Sequence, residues 1–503
     1  MMISTPEWVK DAIFYQIFPD RFAQGKKVSK TGLHLETWDS APSAYGFKGG
    51  DLWGVTEHLD YLQDMGINAI YLNPIFSSAS YHRYHTYDYY AVDPLLGGNS
   101  AFKKLLDAAH RRDMRVILDG VFNHASRGFW QFHHVLEIGD ASPYVDWFFF
   151  NPDRLNHQKH WGAYPTQEEE NTLRYGVSSY DAIGYRAWWN IPALPKFNTE
   201  TPAVREFLWN VAEYWIKFGI DGWRLDVPNE IDNDAFWEEF RQRVKSINPQ
   251  AYIVGEIWHE GQRWLQGNQF DAIMNYMLTG ALLGFLVGDR LDQSLFQVGD
   301  YSKYVRPLDA ASFADRINYL LSLYPTEINQ AQLNLLDDHD TPRFLTTACG
   351  DISALQLGWL FLFTFPGAPC VYYGDEIGLD GGRDPENRKA FPWSKKVWNK
   401  TLLNDLKSLI ALRKAHPALR RGSFITLSAA NGIYAFSRSL ENEKLVVIIN
   451  ASTQTQTCNL PGDQVGNPTG NPEVLFGAIK FSAPNNQKNT FELAPRSGVV
   501  LKV

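Results

Sequence analysis

Short apolar runs rich in Ile, Val, Tyr and Phe recur along the chain, and each is followed by a loop and a stretch of helical periodicity. The runs are "AIFYQIF" (12–18), "NAIYLN" (68–73), "RVILDGVF" (115–122), "GWRLDV" (222–227), "AYIVGEIW" (251–258), "FDAIMNY" (270–276), "LNLLDD" (333–338) and "PCVYYG" (369–374). Between them lie "WGVTEHLDYLQDMG", "SAFKKLLDAAHRRDM", "TPAVREFLWNVAEYWIKFG" and "ISALQLGWLFLFTF". These stretches begin at a capping residue or an early Pro, and several stop at Gly. Strands alternating with helices imply parallel pairing with both faces covered. Eight such units predict an α/β fold of the (β/α)₈ barrel type. A doubly wound open sheet is the rival. It favours a glycine fingerprint after the first strand, and "FPDRFAQGKK" is not one.

Two segments break the rhythm. Residues 123–190, after the third run, are rich in aromatics, show no clear helix and exceed an ordinary βα loop, which predicts an inserted subdomain. From about residue 421 the period changes to two, in "FITLSAANGIYAFSRS", "KLVVIINAS" and "TFELAPRSGVVLKV". With Asn-Gly and Gly/Pro turns, this predicts a C-terminal antiparallel β-sandwich over 421–503. The barrel is then 1–122 with 191–420.

Composition narrows the function. The net charge of −9 excludes the basic footprint of a nucleic-acid binder. Aromatics make up 14% of the chain, with 17 Trp, so flat rings are plentiful for core filling or for stacking on sugar faces. Cys349, Cys370 and Cys458 are scattered and odd in number, which suits free thiols in a reducing compartment. There is no basic-then-apolar leader and no apolar run of membrane-spanning length, so the expectation is a cytoplasmic protein away from the membrane.

Chemistry in such barrels sits at the C-terminal ends of the strands. The third run ends in Asp119, Asn123 and His124; the fourth carries Arg224 and Asp226; the fifth carries Glu256; the seventh ends in His339 and Asp340; the second leads to His82 and Tyr84. Asp226 and Glu256 are one strand–helix–strand unit apart, so their strands are expected to be neighbours. Two carboxyls on adjacent strand ends suit the roughly 5 Å separation of a retaining glycosidase. Arg224, two residues before Asp226, points to the same side and keeps that carboxylate ionised. Glu256 sits among Val254, Ile257 and Trp258, where an apolar wall would raise its pKa and suit it to donate a proton. Asp340 would favour a cationic transition state. His124 and His339 are expected as hydroxyl donors. No HExxH or other paired metal spacing appears, so no metal is assigned.

The segments "DGVFNH", "GWRLDVPNE", "GEIW" and "LLDDHD" resemble, in order and in strand position, those of the alpha-amylase family (glycoside hydrolase family 13). The resemblance implies Asp226 as nucleophile, Glu256 as acid/base, Asp340 as transition-state stabiliser, and His82, Tyr84, His124, Arg224 and His339 as contacts around the cleaved sugar. Within the family the chain is most similar to the cyclomaltodextrinase, neopullulanase and maltogenic amylase group, through "LPKFN" (194–198) and "VPNE" (227–230). That likeness implies Asn229, Glu230 and Trp258 on the leaving-group side, and Asp384 with Arg388 gripping the sugar on the other. It implies α-glucan oligosaccharides as substrates, and a monomer or homodimer. A catalytically dead glucan-binding member is the rival from another class, and such forms lose one of the three acids, all of which are present here.

The chain departs from its group in several places. The barrel begins almost at residue 1, so dimerisation through the extra N-terminal β-domain of relatives is not expected. Pro228 replaces a small residue, Asp338 an uncharged one, and His85 an Asp. The calcium loop of relatives is replaced by "AQGKKVSK", and Gly50 and Asp51 alone cannot supply six oxygen ligands. Calcium is therefore expected to be dispensable. Exhaustive dialysis against a chelator should leave the thermal midpoint and the activity unchanged, and a loss of either that calcium restores would contradict this.

Overall fold

Eight short parallel strands form the centre of the computed structural model, which describes residues 3–155, 164–296, 300–465, 472–485 and 488–503. They are β1 (Phe14–Ile17), β2 (Ala69–Leu72), β3 (Arg115–Gly120), β4 (Gly222–Leu225), β5 (Tyr252–Gly255), β6 (Ala272–Ile273), β7 (Leu333–Leu335) and β8 (Ala368–Tyr372). Each falls on one of the eight apolar runs. The sheet runs β6-β5-β4-β3-β2-β1-β8-β7. A parallel bridge between Met274 and Leu333 joins its two ends and closes the barrel. Apart from Arg115 at the start of β3, every residue of the eight strands is buried. That explains why these runs are continuously apolar instead of alternating.

The covering helices start where their caps dictate. Asp51 accepts from the Gly54 N–H at Leu52–Glu57, Asn233 from Phe236 at Asp234–Ile247, and Asp351 from Ser353 and Ala354 at Ile352–Thr364. Pro202 opens the helix Pro202–Phe218, where its missing N–H costs nothing. Among the described residues no helix is long and apolar enough to cross a membrane.

The segment 123–190 differs from the expectation of no clear helix, because it contains Trp130–Ile138, Gln167–Arg174 and Ser179–Ala182. In the first, Phe132, Val135 and Leu136 form a buried i, i+3, i+4 stripe, and Phe132 packs on Phe148, Phe150 and Tyr185. The second buries no residue and is set by a reciprocal cap between Thr166 and Glu169. Its apolar periodicity is therefore absent, and the crowd of aromatics hides that of the first. Residues 156–163 of this segment lie outside the described ones.

Past residue 421 the strands form two antiparallel sheets. One orders Ser423–Ala430, Ile433–Leu440, Glu443–Asn450, Ser497–Lys502 and Glu473–Gly477; the other orders Gln456–Pro461, Lys488–Leu493 and Lys480–Asn485. Alternate residues serve two cores. Ile433, Ala435, Val446, Ile448 and Val499 meet the second sheet, while Tyr434, Phe436, Val447, Ile449 and Val500 join the barrel's core. Gly498 permits the contact, since a Cβ there would lie 2.3 Å from the Leu360 side chain.

Two wholly buried guanidiniums staple the sandwich to the barrel. Arg413 donates to the carbonyls of Phe363, Phe365, Gly367 and Leu419, and Arg438 to those of Thr364, Leu419, Gly422 and Ser423. Neither has a carboxylate partner among the described residues; both bind the carbonyl-rich C-terminal end of Ile352–Thr364, where the helix dipole favours cations. Arg438→Met should remove the guanidinium from the buried carbonyls of Thr364 and Gly422, with Leu419 O still held by Arg413, and cost about 3 kcal/mol or more. A fall of several degrees in the calorimetric midpoint is expected, against none for the exposed Lys480→Met.

Candidate active site

Strand register brings the acids together. Asp119 pairs with Arg224 between β3 and β4, and Leu225 pairs with Gly255 between β4 and β5. One residue beyond the ladder Asp226 and Glu256 emerge side by side, their N–H groups still held by Gly120 O and Leu225 O at 3.0 Å. Side-chain period two then points Arg224 and Asp226 the same way.

The guanidinium of Arg224 meets three carboxyls. Nη1 lies 2.8 Å from Asp119 Oδ1 and 3.0 Å from Asp226 Oδ1, and Nη2 lies 3.0 Å from Glu256 Oε2. The expectation gave Arg224 to Asp226 alone and left Glu256 against an apolar wall. The structure corrects it: three strand ends converge so closely that one cation serves both acids. Burial pushes Glu256 up to about 7, opposed by Arg224. Burial, and then the charge of Glu256, pushes Asp226 well above the ordinary carboxylate range. With two raised carboxyls on one cation, the pair retains one proton near neutrality.

A second layer fixes these groups. Tyr71 and Tyr84 both donate to Asp119 Oδ2, at 2.7 and 2.8 Å. Val227 takes a left-handed φ of 35°, costly for a β-branched residue. That turn aims its N–H at Glu256 Oε2, 2.9 Å away. Trp258 Nε1 donates to Glu256 Oε1 at 3.1 Å, and its ring stacks on Tyr276 at 3.7 Å and 6°. Tyr276 donates at 2.6 Å to Asp338, whose other oxygen accepts from the N–H groups of Asp340 and Thr341. Asp338 thus holds the turn that presents Asp340. Asp119 was read as a strand-end acid without a role, and Tyr71 and Tyr276 were missed, because a lone tyrosine in or after an apolar strand carries no spacing signal.

The other predicted residues group around this centre. Asp340 remains one-third exposed, 3.2 Å from both His339 Nε2 and Arg388 Nη2. Arg388 also reaches Asp384 at 3.2 Å, and Tyr81 donates to Asp384. Tyr84 stacks parallel to His339, and His82 lies against Tyr84 and His85. Asn229 and Glu230 sit in the turn Pro228–Glu230, where Lys196 pairs with Glu230 Oε2 at 3.3 Å. His124 and His339, expected to meet sugar hydroxyls, both have zero exposure in the protein alone. The segment 187–195 folds over His124, leaving its buried Nε2 without a protein partner among the described residues, and Tyr84 with Gln16 encloses His339. Burial keeps these imidazoles neutral: it lowers His85 to about 4 and His124 to about 3, and takes His82 and His339 well below the usual range.

The residues do not fit a calcium ion at Gly50 and Asp51. The buried Asp51 carboxylate accepts from the N–H groups of Gly25 and Gly54, and the Lys30 ammonium lies 2.9 Å away. A cation of the protein's own is already placed there.

Comparison with known proteins sharpens the picture. Residues 16–400 match the alpha amylase catalytic domain, and residues 422–496 match the alpha-amylase C-terminal domain. A cyclomaltodextrinase of Geobacillus thermopakistaniensis is 43% identical over 92% of this chain and 73% of its own length. Neopullulanase 2 of Thermoactinomyces vulgaris is 40% identical over 99% of this chain and 79% of its own. The solved structure of a Nostoc punctiforme debranching enzyme superposes with a TM-score of 0.86, at 48% identity over 100% of both chains.

Infrared difference titration with ¹³C-labelled glutamate should find the Glu256 carboxyl titrating at about 7. The Trp258 N–H favours the anion, so Trp258→Phe should move that titration to higher pH. A carboxyl that titrates in the ordinary range in both proteins would refute the burial argument.

Proposed function

This chain belongs to the alpha-amylase family of glycoside hydrolases, and on that premise we propose that it is a retaining hydrolase of α-1,4 and α-1,6 glucosidic bonds in malto-oligosaccharides, cyclodextrins or pullulan. The observation that carries the reading is the shared guanidinium: Asp226 and Glu256 lie on its two terminal nitrogens at 3.0 Å each. Two carboxyls held by one guanidinium suit the retaining geometry, in which they stand about 5 Å apart.

In this mechanism Glu256, protonated below about 7, gives its proton to the glycosidic oxygen while Asp226 attacks the anomeric carbon. The leaving sugar departs with that proton. Glu256, now an anion, takes a proton from water, which attacks the same carbon and releases Asp226. In this reading Asp226 is the ionised member of the pair at the start, and Arg224 lies against both carboxyls. Asp340, exposed and steered by Arg388 and the Asp338 turn, faces the cationic sugar. Asp384 and Arg388 hold the sugar on one side; Asn229, Glu230 and Trp258 serve the leaving group. Transfer to a second sugar instead of water is the first variant of this chemistry.

A second reading is favoured by the 48% identity with a debranching enzyme over the whole of both chains: cleavage mainly of α-1,6 bonds. The scattered unpaired cysteines support a cytoplasmic location.

Two measurements test the proposal. Asp226→Asn should abolish hydrolysis, and Glu256→Gln should lower it about 10²–10⁴-fold on maltose-series substrates. The latter loss should shrink on an aryl glycoside whose leaving group needs no proton, and equal losses on both would remove Glu256 from the acid role. The alkaline limb of kcat/KM should fall as pH rises through about 7, where Glu256 loses its proton. Parallel digestion of pullulan, maltoheptaose, a branched oligosaccharide and a cyclodextrin separates the two readings, since α-1,6 cleavage of pullulan releases maltotriose.

A further inference from the structure

Three flat rings form a column that leaves the site. The Trp188 ring lies 5.1 Å from the His124 ring at 12°, and the Trp189 ring lies 4.6 Å from that of Trp188 at 14°. His124 has no exposure, Trp188 is half-buried, and Trp189 is 69% exposed. Single exposed rings are ordinary, as at Tyr45 and Tyr175, but Trp189 differs in being stacked on a column that reaches into the site.

The turn that presents Trp189 is built to hold it outward. Ala187 bridges to Pro195, Trp188 N–H donates to Leu194 O, and Ile191 N–H donates to Trp188 O. Asn190 Oδ1 accepts from Ser179 N at 2.9 Å, and Ser179 Oγ accepts from Ala187 N at 2.8 Å. Trp189 and Asn190 both adopt left-handed φ, 51° and 57°, a strained pair that these bonds enforce. The base of the turn is tied to the cleft twice. His124 bridges to Lys196, and Lys196 Nζ donates to Glu230 O at 2.8 Å. Lys196 thus links the base of the column to the turn that carries Asn229 and Glu230.

We propose that the outer face of Trp189 is a glucosyl-stacking site on the leaving-group side of the cleft, which grips units of a longer α-glucan beyond those at the reacting bond. This rests on the function proposed above. The face fits a pyranose ring, whose C–H side is flat and apolar, and the ring stack beneath it keeps the indole rigid at little entropic cost. One ring is too small for a protein partner, which needs about 800 Å² per side.

Calorimetric binding of maltoheptaose and maltotriose to the intact Asp226→Asn protein tests the idea without turnover. Adding Trp189→Ala should weaken maltoheptaose about tenfold, or ~1.4 kcal/mol, and change maltotriose less than twofold. Trp189→Phe should recover most of the loss. Unchanged maltoheptaose affinity overturns the proposal, and so does an equal loss for both sugars, which would mark damage to the cleft itself. If the Asp226→Asn parent binds neither sugar, the glucan reading falls, and this site with it.

Discussion

Three carboxyl groups, from Asp119, Asp226 and Glu256, gather on the Arg224 guanidinium in a place that water scarcely reaches. Burying an ion without a partner costs several kcal/mol, and three acids on one cation leave an excess of negative charge. The surroundings relieve it in two ways. Tyrosine hydroxyls and the Val227 and Trp258 N–H groups donate to the oxygens, and a proton stays on the Asp226–Glu256 pair into the neutral range. The same arrangement that must be stabilised holds one proton between two carboxyls, the state that the proposed chemistry uses.

The supports are arranged as chains of contact from one strand end to the next. Trp258 leans on Tyr276, Tyr276 donates to Asp338, and Asp338 secures the N–H of Asp340. The fifth, sixth and seventh strand ends are thereby coupled through side chains, where the sheet itself is thinnest, β6 being two residues long. The neutral imidazoles of His82, His85, His124 and His339 add no positive charge, so Arg224 and Arg388 remain the cations that face the acids.

The proposed specificity rests on the segments between strands. The barrel positions the acids, while the turn at 187–195, the turn Pro228–Glu230 and the Asp384–Arg388 stretch are the segments that the proposed function has touch the sugar chain. These segments hold their geometry through side-chain hydrogen bonds and aromatic stacking, which is how a loop with few ladder bonds stays rigid enough to recognise a sugar.

The eight strands, the two-period C-terminal sheets and the acids at the strand ends were readable from the chain, because burial on both faces, alternation and strand-to-helix spacing each leave a periodic mark. The helix Gln167–Arg174 was not, since a cap and not a stripe makes it. Nor did any local pattern say that Arg224 would serve Glu256 as well as Asp226, that Asp119 would complete the cluster, or that Trp188 would cover His124. Those facts depend on register across three strands and on a loop returning from about sixty residues away. A one-dimensional pattern reports which face a residue turns toward; only the closed barrel decides which groups from distant turns share one guanidinium and how deeply they are buried, and burial acting against that shared cation sets their charge.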